Sequence, residues 1–249
     1  MGARVQRVDL PGIGVRPDVL PNYFAALEPE KQPKAWSDGN LRKQRLFLAA
    51  ERNLIEQLLL AGLVPEVAKE SRKTTLECDP RLLSLMSANF PGVEVVSRGD
   101  LTLEFLQQRN FQVASTLGNL AGRLRAADGQ FPARSKATLA ADAAKVAALR
   151  EEYAATAGAR KLVGLSWRHT KDSSSWPTPL DAWLPLIDRP DVMVVALHPG
   201  SCEAELADFA QRTARDLIFD RRVDFSNDLG DYAAQVQACD LVVAIEDLT

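Results

Sequence analysis

The residues of this chain best suited to chemistry sit where apolar runs stop. Residues 162–165 read as a short buried strand. The strand breaks into Ser166-Trp167-Arg168 and then a polar loop carrying His169, Lys171 and the serines at 173–175. A second apolar run, 192–197, stops in the same way at His198-Pro199-Gly200-Ser201, ahead of a helical pattern. Two strands that each end in a polar, cationic or glycine-bearing loop are what a ligand crevice in an open α/β sheet requires. In such sheets the ligand lies beyond the carboxyl ends of the strands, where loops supply donors and helices point their positive ends.

Those loops need elements to hold them, and the chain supplies two alternations. The first begins after Gln44 with a strand at 46–50, then a helix at 54–63 that is apolar nearly all round and hence buried. A strand at 74–78 follows. Asp79-Pro80 then starts a helix, Asp as N-cap and Pro at the first position, with Leu82, Leu83, Leu85 and Met86 as its core face. Phe90-Pro91-Gly92 stops that helix before a third strand at 93–96. This spacing predicts a parallel, doubly wound sheet with right-handed crossovers. Residues 111–117 fit either a strand or a helix, and the stretch through Phe131-Pro132-Ala133-Arg134 reads as loop. A helix at 142–153 presents Val146, Leu149 and Tyr153 on one face, and 154–160 reads as a linker.

The second alternation has strands at 162–165, 192–197, 217–219 and 241–245, with helices near 180–187, 203–215 and 231–239. The sequence stops at Glu246-Asp247-Leu248-Thr249 straight after a strand, whereas a parallel strand normally feeds a covering helix. The expected fold is therefore α/β, with two Rossmann-like parallel-sheet domains, the second incomplete. The expected divisions are an irregular arm over 1–40, a first domain over 41–157 and a second over 158–249. Pro11, Pro17, Pro21 and Pro33 punctuate the arm, where only 22–27 fits a short helix.

With 249 residues, 46% hydrophobic and 25% charged, the composition is that of an ordinary globular protein able to bury a substantial core. A net charge of -3 argues against a nucleic-acid partner. The cations Lys31, Lys34, Arg42, Lys43 and Arg45 cluster, but acids lie nearby and the group reads as a solvated surface. Cys78, Cys202 and Cys239 lack metal-ligand spacing, and with two histidines in all no structural zinc is expected. An odd cysteine count without a framework suits a reducing compartment. The opening six residues have no apolar core for a signal peptide, and no run approaches membrane-spanning length. The expectation is a cytoplasmic protein with no membrane span, no resident metal and no cofactor. No Gly-x-Gly-x-x-Gly follows any strand, which discourages a dinucleotide-dependent oxidoreductase.

Two such halves joined by a helix and linker resemble the GT-B fold of nucleotide-sugar glycosyltransferases. Val163-Gly-Leu-Ser-Trp-Arg168, Trp183-Leu-Pro-Leu186, Val194-Val-Ala-Leu-His198 with its Gly200 loop, and Cys239-Asp-Leu-Val-Val-Ala-Ile-Glu-Asp247 occur in order. Together they resemble the catalytic half of bacterial glycosyltransferases fused to tetratricopeptide repeats, a group similar to O-GlcNAc transferases and heptosyltransferases. Leu76-Glu-Cys-Asp-Pro-Arg-Leu82, Phe90-Pro-Gly-Val-Glu-Val-Val96 and Phe131-Pro-Ala-Arg134 resemble that group's first half. The likeness starts near Trp36. Where the group carries a Gly-Leu-Gly-Asp-Glu loop, this chain has Asn53-Leu-Ile-Glu-Gln57, without either glycine. The group also continues beyond the position of Thr249 into a histidine-containing loop, so the resemblance implies a C-terminally truncated chain lacking the repeats.

The resemblance implies a UDP- or ADP-sugar donor on the second half and an unidentified hydroxyl acceptor on the first. Arg168 and Lys171 then suit the donor diphosphate, neutralising charge on the leaving group; otherwise they are two surface cations. Ser166 adds a hydroxyl to the same phosphate or caps a turn. Trp167 lies under a base or sugar, or belongs to the core. His198 and Gly200 wall the base or ribose through backbone groups, or form an ordinary turn. Glu246, Asp247 and Thr249 contact ribose or help hold a magnesium ion, or simply fray. Glu56 is the candidate base for the acceptor hydroxyl; yet Asn53-x-x-Glu56 is also a capping-box pattern, in which Glu56 reaches back to the Asn53 amide. His169 is the other possible base, on the donor side. The alternative function is a degenerate, non-catalytic relative that binds a nucleotide or a partner, with self-association through the unfinished second sheet.

Overall fold

The computed structural model describes residues 22–36, 40–125, 139–167, 178–197, 202–223, 225 and 227–245. Its architecture is α/β with two parallel sheets, as the alternation predicts. Two compact units divide the chain, one on Met1–Cys78 and Gly92–Lys136, the other on Asp79–Pro91 and Ala137–Thr249.

The first unit carries strands β1 (Lys34–Ala35), β2 (Arg45–Ala49), β3 (Lys73–Cys78), β4 (Glu94–Ser97) and β5 (Val113–Thr116) in the order β1-β5-β2-β3-β4, all parallel. Leu46, Phe47, Leu48 and Ala49 of β2 are each wholly buried, which is why this strand reads as a continuous apolar run rather than an alternation. The Phe47 ring meets Phe24 and Phe111 edge-on, each at 5.2 Å between centroids, the geometry that ring quadrupoles favour.

Helix α1 (Leu54–Leu60) starts at Asn53, whose side chain accepts from the Ile55 amide at 2.9 Å. The expected single helix over 54–63 ends instead in a 3-10 turn, Ala61–Leu63, and Pro65 sits at the start of a further helix, α2 (Val64–Glu70). Beyond α3 (Leu83–Asn89), α4 (Leu103–Arg109) is capped by Thr102 and had no counterpart in the sequence reading. The ambiguity at 111–117 resolves as β5 followed by α5 (Leu117–Leu124), with Thr116 as its cap. Part of the supposed arm belongs to the fold, because β1 pairs with β5 and Phe24 and Leu27 are buried. A two-residue strand has no period to detect.

The second unit carries β6 (Lys161–Ser166), β7 (Val192–Ala196) and β8 (Leu241–Ala244) in the order β7-β6-β8. The strand expected at 217–219 reduces to one parallel bridge, Val195 to Ile218. Helix α6 (Ala143–Ala157) continues into the expected linker, started by the Asp142 carboxylate and ended by Gly158 at φ 63°. The region 180–187 is a 3-10 turn, Leu180–Trp183, leading into the short α7 (Leu184–Ile187).

Helices α8 (Glu203–Thr213) and α9 (Leu229–Ala238) complete the unit. Buried Tyr153 of α6 donates to Asp220 at 3.0 Å and accepts from Gln235 of α9 at 3.1 Å. Asn89 of α3 exchanges two 2.8 Å bonds with the Ala140 backbone, and Ser84 of α3 donates to Asp228 ahead of α9. In β6, a Cβ on Gly164 would come within 2.3 Å of Leu197 and 3.1 Å of the Cys239 sulfur, so only glycine fits beneath them.

Candidate functional site

In the second unit the three parallel strands deliver their carboxyl ends to one edge of the sheet. Leu165 lies beside Ala196 and Ser166 beside Ala244, so the chain leaves the same edge after Trp167, Leu197 and Ile245. Ser166 is buried, and its carbonyl accepts from the Ile245 amide at 3.1 Å. Trp167 is fully enclosed in a cluster with Val163, Val194, Cys202 and Phe209. Its indole N–H donates to Glu205, on the first turn of α8, at 3.1 Å. The ring is core, and its polar atom is engaged within the fold. Arg168, Lys171, His198, Gly200, Glu246, Asp247, Thr249 and also His169 lie outside the described residues.

In the first unit Glu56 stands exposed on the first turn of α1. The capping box does not close. Asn53 caps the helix, but among the described residues Glu56 makes no hydrogen bond back to the Asn53 amide. Glu51 and Glu77 are held acids near this sheet edge. Glu77 near the end of β3 is wholly buried; it accepts from Arg98, from the Tyr23 hydroxyl at 3.2 Å and from the Ala50 amide at 3.3 Å. Burial, reinforced by the Glu77 charge, pushes the Tyr23 hydroxyl above its usual range. Arg98 also donates to the Ala50 and Glu51 carbonyls, at 3.2 and 3.0 Å.

Glu51 lies two residues after β2. Buried Gln57 donates to its carbonyl at 2.6 Å, and one carboxylate oxygen accepts from the Gly118 amide, in the first turn of α5, at 2.8 Å. A charged residue inside a buried strand (Glu77) and an acid two residues after an apolar one (Glu51) are the signals that mark this edge in the sequence.

Among the described residues no group of three His, Cys, Asp or Glu side chains is placed to hold a metal ion. Cys78 and Cys202 are buried thiols, and burial pushes the Cys239 thiol up to about 12. No described helix is long and apolar enough to cross a membrane.

Two parallel sheets, each in its own unit, make an α/β fold that is GT-B-like and glycosyltransferase-like. The particular likeness is to the crystal structure of the glycosyl transferase family 9 from Veillonella parvula DSM 2008. That match has a TM-score of 0.55 at 12% identity, over 81% of this chain and 75% of that one. In sequence the chain is 28% identical over 229 residues to Protein FlbA of Caulobacter vibrioides. The alignment takes in 86% of this chain but only 38% of FlbA's length. No protein-family model matches.

Proposed function

We propose that this chain transfers a sugar from a nucleotide-sugar donor, a UDP- or ADP-sugar, to a hydroxyl acceptor. The second unit holds the donor and the first holds the acceptor. The observation that carries this reading is the common edge at which β6, β7 and β8 end, on a glycosyltransferase-like fold. Ser166 and Trp167 end the strand from which Arg168 and Lys171 follow, and those two cations neutralise charge building on the departing diphosphate. His198 and Gly200, which follow β7 in sequence, and Glu246, Asp247 and Thr249, which follow β8, contact base and ribose. The finer likeness, to the catalytic region of tetratricopeptide-fused transferases, fits a relative of which the aligned stretch is only 38%. Titrating the protein with UDP- and ADP-sugars while following thermal unfolding tests the donor. Ligand at about 100 times its dissociation constant adds about 2.7 kcal/mol. Absence of any shift with both nucleotide classes refutes the reading.

A second reading, a non-catalytic relative that binds nucleotide without turnover, is favoured by one observation. Glu56, the acid at the expected base position, projects from an exposed helix turn with nothing fixing its direction among the described residues. Under that reading a stabilising nucleotide-sugar is bound and no nucleoside diphosphate is released.

A further inference from the structure

We propose that Glu51 is the carboxylate that takes the acceptor's proton, an inference that rests on the transfer function above. Glu51 emerges from β2, the middle strand of the first sheet. Its main chain is held from two sides, by Gln57 at 2.6 Å and Arg98 at 3.0 Å on the carbonyl, and Arg98 is itself anchored on buried Glu77. The preceding residue is pinned as well, since the Ala50 amide donates to Glu77 at 3.3 Å.

The carboxylate is half-committed. Its Oε1 accepts the Gly118 N–H at 2.8 Å, while Thr116 takes the next amide of that turn, Asn119, at 3.1 Å. Its Oε2 makes no hydrogen bond within the described residues. Gly118 is shaped for this arrangement, because a Cβ there would stand 2.8 Å from Oε1 and displace the carboxylate. One oxygen is thus an anchor and the other an acceptor of fixed direction. A general base needs that combination, since hydrogen-bond reach in a set geometry governs proton transfer. Exposed Glu56 has to give up rotamer freedom before it reaches any such geometry.

In the step, the acceptor O–H gives its proton to Glu51 Oε2 and its oxygen forms a bond to the sugar's anomeric carbon. The bond from that carbon to the diphosphate oxygen breaks, and its electron pair leaves with the nucleoside diphosphate. Glu51 on this account also completes the first turn of α5, where a negative charge is stabilising. A purely structural role would consist of that alone.

The experiment measures nucleoside diphosphate release from UDP- and ADP-sugars, to water and to a panel of hydroxyl acceptors, with nucleotide-induced thermal shifts in parallel. Glu51→Gln keeps the bond to Gly118 and removes the base. It is expected to retain the thermal shift, to lower release by about 100- to 10,000-fold and to lose the acid limb of the pH–rate profile. Gly118→Ala, which moves the carboxylate without changing charge, is expected to lower release as well. Glu56→Gln is expected to keep the acid limb. If wild-type protein turns over and Glu51→Gln does so equally well with its acid limb intact, this inference falls and the transfer reading stands. If wild-type protein binds no nucleotide or releases none, the transfer reading falls and takes the inference with it.

Discussion

The two sheets hold their carboxyl edges by different means. In the first unit the edge is stiffened by charge. Wholly buried Glu77 gathers Arg98, Tyr23 and the Ala50 amide, and Arg98 reaches on to two main-chain carbonyls of the β2 end. In the second unit the buried strand positions carry no charge at all, and the edge is stiffened by packing around Trp167. A polar network fixes direction as well as position, which suits the end of a sheet where a carboxylate must point one way. An apolar edge fixes position only.

The largest expected effect tests the packed edge. Trp167→Ala removes the largest wholly buried side chain among the described residues and leaves a cavity among Val163, Val194 and Phe209, so it should cost about 3–5 kcal/mol. Urea unfolding followed by tryptophan fluorescence and circular dichroism measures it. A loss under about 1 kcal/mol would mean that Trp167 is peripheral and the contrast between the edges is unfounded.

The second effect tests the charged sheet. The Arg109 guanidinium, helped by Lys73 and the Thr75 hydroxyl and opposed by burial, holds the Glu94 carboxyl down at about 2. The folded value lies below the unfolded one, so this group's contribution is fully present above about pH 4.5 and fades as pH falls toward about 2. Glu94→Gln should therefore destabilise by about 2 kcal/mol at neutral pH, with the deficit shrinking on acidification. Thermal midpoints of the two proteins compared from about pH 7 down to about pH 3 provide the check. A constant difference across that range would show that the Arg109 pair contributes nothing through charge.

The same contrast explains what the sequence discloses. Apolar runs and their breaks declare the strands of both sheets, because a buried parallel strand is a continuous stretch in one place. The two-residue β1, the short α4 and the single bridge at Ile218 escape such reading, since each depends on a partner distant in sequence. The second unit's strand ends were legible, and Ser166 and Trp167 fall where those ends were expected. The polar network at the first unit's edge was not. Glu77 meets Tyr23 across 54 positions and Glu51 meets Gly118 across 67, so no local motif connects them. Of the Asn53-to-Glu56 capping pattern only the local half, the Asn53 cap, forms.

The smallest effect separates the units by how their helices end. Helix α4 stops at Asn110 with φ 46°, and α8 stops at Ala214 with φ 55°, both left-handed. Asparagine tolerates that region through its short polar side chain, whereas alanine bears a Cβ clash of about 1–2 kcal/mol. Glycine at 214 relieves the clash but loses more freedom on folding, by about 0.5–1 kcal/mol, so Ala214→Gly should stabilise by roughly the difference, under about 1 kcal/mol. Asn110→Gly should be close to neutral by the same reasoning. Paired urea midpoints with unchanged slopes decide it. A destabilised Ala214→Gly would show that the Cβ at that position is held by packing that outweighs its backbone strain, and that the second unit relies on packing even where its helices turn.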